Sequence, residues 1–112
     1  MPMDLSVVIP CYNEAASLPE LLAQLERALA SWQPRCEVIV VNDGSTDDSG
    51  RLLGELAAAR PWLKVVNLRR NYGQTAAMMA GFEWATGDIL VAMDADLQND
   101  PADIPRLVAK LN

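Results

Sequence analysis

The chain has 112 residues, 51% of them hydrophobic, with 9 Lys and Arg against 15 Asp and Glu and a net charge of -6. That length suits one domain with one core, and the apolar content excludes the composition of a disordered chain. The acidic balance excludes a nucleic-acid surface, which needs clustered cations, so an anionic ligand requires a bridging metal or local backbone donors.

Leu5 to Pro10 is a short run rich in β-branched residues and closed by proline, the pattern of a buried strand. Leu18, Leu21, Leu22, Leu25 and Leu29 then recur at helical spacing, with Ser17 and Glu20 in capping-box positions, Pro19 in the first turn and an end near Ser31 to Pro34. Val38 to Val41 forms a second strand, and Leu52, Leu53, Leu56 and Ala57 mark a second helix closed by Arg60-Pro61. Val65 to Leu68 is a third strand. Thr75 to Thr86 is an Ala/Met-rich helix, with Met78, Met79 and Trp84 read as core and Gly87 as a left-handed stop. Ile89 to Met93 is a fourth, buried strand, and Ile104 to Leu111 a last short helix after the turn signals Asn99-Asp100-Pro101.

This alternation predicts an α/β, Rossmann-like, mostly parallel sheet with helices on both faces, in one domain over residues 1–112. Right-handed crossovers put every strand's C-terminal end on one edge. Cys11 and Cys36 then fall at opposite ends of the sheet, ~15 Å apart, too far for a disulfide. No apolar run approaches the ~20 residues of a spanning helix, and Met1-Pro2-Met3-Asp4 lacks the basic opening of a signal peptide, which predicts a soluble, cytoplasmic chain.

The polar segments all lie at the strand exits, where ligands of open α/β sheets bind. At the first exit, Pro10-Cys11-Tyr12-Asn13-Glu14 offers an aromatic face for a base and an acceptor for base or ribose donors. Asn13 and Glu14 equally suit the following helix N-terminus. Asp43 at the second exit is placed to accept from a base N–H, while Ser45 to Asp48 cap the next helix. At the third, Arg69-Arg70 and the free amides of a helix N-terminus suit anionic oxygen, although solvated surface arginines are commoner.

The fourth exit carries Asp94-Ala95-Asp96. Alone the triplet is weak, since chance supplies such spacing in an acidic chain. It gains weight from its place directly after an apolar strand, where an uncompensated carboxylate is costly. With no histidine in the chain, a His base and a His-ligated zinc are excluded, and any metal site is built from oxygen. Asp94 and Asp96, with Gln98 nearby, suit Mg²⁺ or Mn²⁺ held against a diphosphate.

Val7-Val8-Ile9-Pro10-Cys11-Tyr12-Asn13-Glu14, Val40-Val41-Asn42-Asp43-Gly44-Ser45-Thr46-Asp47, Arg69-x-Asn71-x-Gly73 and Met93-Asp94-Ala95-Asp96-Leu97-Gln98 together resemble the family 2 inverting glycosyltransferases of the GT-A fold, in family order along nearly the whole chain. The last motif, with Pro101 after it, is most similar to the polyprenyl-phosphate sugar transferases, which include dolichyl-phosphate mannose synthases and their undecaprenyl-phosphate relatives. The resemblance implies that Pro10, Tyr12, Glu14, Val41 and Asp43 surround the base and ribose. It places Asp94, Asp96 and Gln98 on the metal, with the Ala95 backbone beside the nucleotide. Asn42 departs from the aspartate common there.

By the same resemblance the chain comes from a metal-dependent enzyme moving a hexosyl group, with inversion, from a GDP- or UDP-sugar to a polyprenyl phosphate at the cytoplasmic membrane face. The resemblance also implies that the chain is the donor-binding part of that enzyme, ending after the metal motif, without an identified catalytic base; a sheet cut short there exposes an edge or an apolar face, so self-association is expected. Two rivals stand beside it: a receiver-like Mg²⁺-binding signalling module and a noncatalytic nucleotide-binding or assembly domain. The receiver reading needs acidic residues where this chain has Pro10-Cys11 and Arg69-Arg70.

Overall fold

The computed structural model describes residues 3–96 and 101–111. Its elements run β1 (Leu5–Cys11), α1 (Leu18–Ala28), a 3₁₀ turn (Ala30–Trp32), β2 (Cys36–Asn42), α2 (Ser49–Ala58), β3 (Leu63–Asn67), α3 (Gln74–Trp84), β4 (Ile89–Ala92) and α4 (Asp103–Leu111). The strands form one parallel sheet in the order β3-β2-β1-β4. Successive units step outward from β1 to β3, and β4 then returns to the other side of β1. The strand order therefore reverses between β1 and β4, which opens a crevice above their C-terminal ends. A receiver sheet runs 2-1-3 at the same point, so the observed order removes that rival.

Alternate residues of β1 and β2 face opposite layers. Leu5, Val7, Ile9, Val38 and Val40 pack with Leu18, Leu21, Leu22 and Leu25 of α1, Leu53 of α2, and Ile104 and Val108 of α4. Each fully buried leucine contributes about 1.5–3 kcal/mol. On the other face Ile39 and Val41 meet Ala77 of α3.

Several expectations are corrected. Met79 and Trp84 are exposed, at 57% and 61%, and not core; Met78 is half-buried. An apolar helix gives no periodic clue to its buried face. The side placed on the sheet is the one with the small residues Ala77 and Gly81, which lets α3 approach Val8 and Val41 closely. β4 is a half-exposed edge strand, with Leu90 48% exposed, so burial of the strand is not what singles out Asp94. Gly87 is not left-handed: a Cβ there would lie 2.7 Å from Ser6 N and 2.8 Å from Leu5 C, and glycine serves the close passage of the chain beside β1. Ser17 makes no capping bond to its helix and instead donates its hydroxyl to Glu14 (3.1 Å).

At the N-terminal edge of the sheet, away from the crevice, lies a polar cluster. Glu37 is 1% exposed and its carboxylate accepts from Ser6 Oγ (2.6 Å), Thr86 N (2.8 Å), Thr86 Oγ1 (3.0 Å) and the Lys64 ammonium. Gly87 N donates to Ser6 Oγ (2.8 Å), closing the network. Burial alone would raise the Glu37 carboxyl; the Lys64 ammonium, Ser6 hydroxyl and Thr86 donors overcome it and hold the pKa at about 2.

Candidate functional site

The strand exits enclose a cleft of ≈ 530 Å³. The β1 exit contributes Pro10, Cys11, Tyr12 and Glu14, and the β2 exit Asp43. The turn into α3 adds Asn71, Gly73 and Gln74, and the segment after β4 adds Asp94, Ala95 and Asp96. Parallel pairing is the reason residues up to 86 positions apart meet, because it brings all four exits to one edge.

Asp43 is 3% exposed and organises the loop before α3. Its Oδ1 accepts from Tyr72 N (2.8 Å), and its Oδ2 accepts from Gly73 N (3.0 Å) and Asn71 Nδ2 (3.3 Å). The anion at the N-terminus of α3 is thus the protein's own carboxylate, and the amides of Tyr72 and Gly73, expected to be open to a ligand, are engaged. A carboxylate has about four acceptor positions, so these bonds still leave Asp43 capacity for a donor within the cleft. Gly44 is needed for this approach: its φ is +69°, and a Cβ would stand 2.2 Å from the Arg70 carbonyl carbon.

The β1 exit is fastened to the β2 exit by Asn13, whose side chain serves that neighbouring loop and not the N-terminus of α1. At φ +54°, Asn13 receives the amides of Thr46 (2.8 Å) and Asp47 (3.2 Å) on its Oδ1, while its own N–H reaches Ser45 Oγ (3.0 Å). Ser49 Oγ accepts from Glu14 N (3.1 Å). Tyr12 is left 44% exposed on the cleft wall. Asn42, the departure from the family pattern, is structural: it donates to Asn67 Oδ1 (3.0 Å) and accepts from Ser45 N (3.2 Å).

In the segment after β4, Asp94 is half-buried and Asp96 exposed, with Ala95 between them 4% exposed. Gln74 Nε2 donates to Asp94 Oδ1 (3.0 Å). Two carboxylates on one short segment, both lining a polar cleft, form an all-oxygen donor set that fits Mg²⁺ or Mn²⁺. Among the described residues no group of three or more His, Cys, Asp or Glu is gathered to hold a metal by itself, so a divalent cation on Asp94 and Asp96 would need further oxygen ligands from elsewhere. Gln98 lies outside the described residues.

Two expected contributors are elsewhere. Val41 is fully buried beneath α3 and does not line the cleft. Arg69 and Arg70 border a separate hollow of ≈ 350 Å³ with Tyr72, where the Arg70 guanidinium carbon stands 5.1 Å from the Tyr72 ring centroid. Cys11 and Cys36 are free and buried; burial pushes both thiols up to about 11.

The sequence profile of glycosyl transferase family 2 matches residues 6–112. The chain belongs to this family. Among its curated glycosyl transferase relatives is the undecaprenyl-phosphate 4-deoxy-4-formamido-L-arabinose transferase of Klebsiella pneumoniae subsp. pneumoniae, 54% identical over 106 residues, covering 94% of this chain and 32% of that protein. The Pseudomonas aeruginosa transferase of the same name is 54% identical over 112 residues, covering 97% and 33%. The chain thus spans about a third of the length of the curated relatives it matches. Among solved structures, the fold matches the mannosyltransferase PcManGT of Pyrobaculum calidifontis, in complex with GDP-Man and Mn²⁺, with TM-score 0.80 and 28% identity over 92% of this chain and 30% of that one. It also matches S. aureus TarS 1-349 in complex with UDP-GlcNAc, with TM-score 0.75 and 28% identity over 96% and 30%. The expected GT-A type of fold and family membership are both borne out.

Proposed function

We propose that this chain forms the donor site of a transferase that moves a glycosyl group from a nucleoside diphosphate sugar to a polyprenyl phosphate, with inversion. The observation that carries the reading is the cleft itself, which Tyr12, Glu14, Asp43, Asp94 and Asp96 line together. An aromatic face and acceptors suit a base and ribose, and paired carboxylates suit a cation on a diphosphate. The names of the relatives support an undecaprenyl-phosphate acceptor, and the ligands of the structural neighbours support a nucleotide sugar and Mn²⁺. The expected hexosyl group is broadened to glycosyl because the sugar in the relatives' names is an arabinose derivative, a pentose.

In this reading the Tyr12 ring stacks on the base, Asp43 and Glu14 accept from base and ribose, and the Ala95 backbone borders the diphosphate. Asp94 and Asp96, with Gln98 in the motif, would hold the divalent cation, which would supply Lewis-acid stabilisation of negative charge on the departing diphosphate. An acceptor phosphate oxygen bonds to the anomeric carbon on the face opposite the diphosphate as the bond to the diphosphate oxygen breaks. Because the attacking oxygen is already anionic, the chain does not have to remove a proton from it. The acceptor places the reaction at a membrane surface, while among the described residues no helix is long and apolar enough to cross one.

Calorimetry of the chain with UDP, GDP and their sugars, with and without Mn²⁺ or Mg²⁺, tests the proposal. Metal-dependent binding of at least one nucleotide is expected, and Asp96→Ala removes most of the metal-dependent part. Binding that ignores metal, or no binding to either nucleotide, overturns the assignment.

A further inference from the structure

The hydrogen bond from Gln74 to Asp94 joins the start of α3 to the segment after β4, 20 positions away (3.0 Å). We infer that Gln74 is a positioning residue that aims the Asp94 carboxylate at the cation, an inference that rests on the donor-site reading above.

The placement of Gln74 is itself determined by Asp43. Tyr72 N and Gly73 N are fixed on the Asp43 carboxylate, and Gly73 holds φ +100°, ψ 159°, a backbone conformation that suits glycine alone. The chain therefore leaves Asp43 in one direction and begins α3 at Gln74. As the first residue of a helix anchored on the sheet through Ala77, Gln74 has a fixed Cα from which its amide reaches Asp94. The route runs from the β2 exit, through the loop before α3, to the carboxylate after β4.

The choice of an amide reflects what an anchored ligand needs. A carboxylate on a segment after an edge strand rotates freely unless something holds it. The Gln74 N–H on Oδ1 restricts that rotation and, being neutral, leaves the carboxylate charge intact for a cation. Lys or Arg at position 74 would hold Asp94 equally well but would set a positive charge beside the metal. Partners of ligating carboxylates are worth roughly 10- to 100-fold in metal affinity.

Gln74→Met tests this, since methionine keeps the length and loses the donor. Three quantities are measured on the unsubstituted chain and the variant: Mn²⁺ affinity in the presence of nucleoside diphosphate by electron paramagnetic resonance, metal-free nucleotide affinity by calorimetry, and the thermal midpoint by circular dichroism. The expected result is Mn²⁺ affinity lowered roughly 10-fold, with metal-free nucleotide affinity and midpoint unchanged. Unchanged Mn²⁺ affinity overturns the role of Gln74 and leaves the donor site standing. Parallel losses of metal-free affinity and midpoint overturn it in favour of a structural role. Failure of the unsubstituted chain to bind Mn²⁺ overturns both readings.

Discussion

Individual side chains in this molecule matter most where a charge is buried. Asp43 uses its carboxylate to satisfy two backbone amides and the Asn71 amide. Replacing it by alanine removes their acceptor at a part-buried site, so Asp43→Ala is expected to cost about 1–3 kcal/mol in urea unfolding and to weaken nucleotide binding by releasing the loop before α3. Glu37 gives a pH dependence with a defined sign. Its folded pKa, about 2, lies below the ordinary carboxyl value of 4.5, so the unfolded chain binds more protons in that interval. The stability it contributes is fully present above about 4.5 and is lost as pH falls towards 2. Acid titration of the thermal midpoint should show this loss, and Glu37→Gln should shrink it while lowering stability at neutral pH. No motif marks Glu37. The available sign was positional: Ser6, Glu37 and Lys64 each interrupt an apolar strand near its start, and parallel register places Ser6 beside Glu37.

At the level of elements, periodicity located the strands and helices because their apolar residues repeat with the spacing of the surface each must bury. It failed where that signal is absent or ambiguous. α3 is apolar around its circumference, and small residues rather than large ones decided which side met the sheet. β4 looks like the other strands in composition but lies at an edge, which leaves Leu90 exposed. The segment before β4 shows the same limit: Gly87 comes after a helix, yet its reason is the backbone of β1 beside it. Gly87→Ala should therefore destabilise the chain by about 1–3 kcal/mol through overpacking, measurable by urea titration. A stability equal to the unsubstituted chain would show that β1 and the turn before β4 separate without cost.

Taken whole, the molecule gathers separated polar segments at one edge and keeps its two thiols shielded from solvent. The thiols of Cys11 and Cys36 are buried and held protonated near neutral pH, with pKa values of about 11. Slow labelling by a thiol reagent in buffer and fast labelling in urea are expected, so that labelling reports opening of the sheet. Rapid labelling of the native chain would contradict the burial of both ends of the sheet. The sequence alone determined the alternation of strands and helices, the histidine-free chemistry of the candidate metal site and the strand exits that carry the polar segments, because these depend on local periodicity and residue chemistry. Only the tertiary structure decided that Asp43 closes on the loop before α3, that Val41 faces the core and that Gln74 reaches Asp94. Those contacts depend on strand order and register, which bring distant positions within hydrogen-bonding distance. For Asp94-Ala95-Asp96, the spacing was written in the chain, and the neighbours that orient it were supplied by the fold.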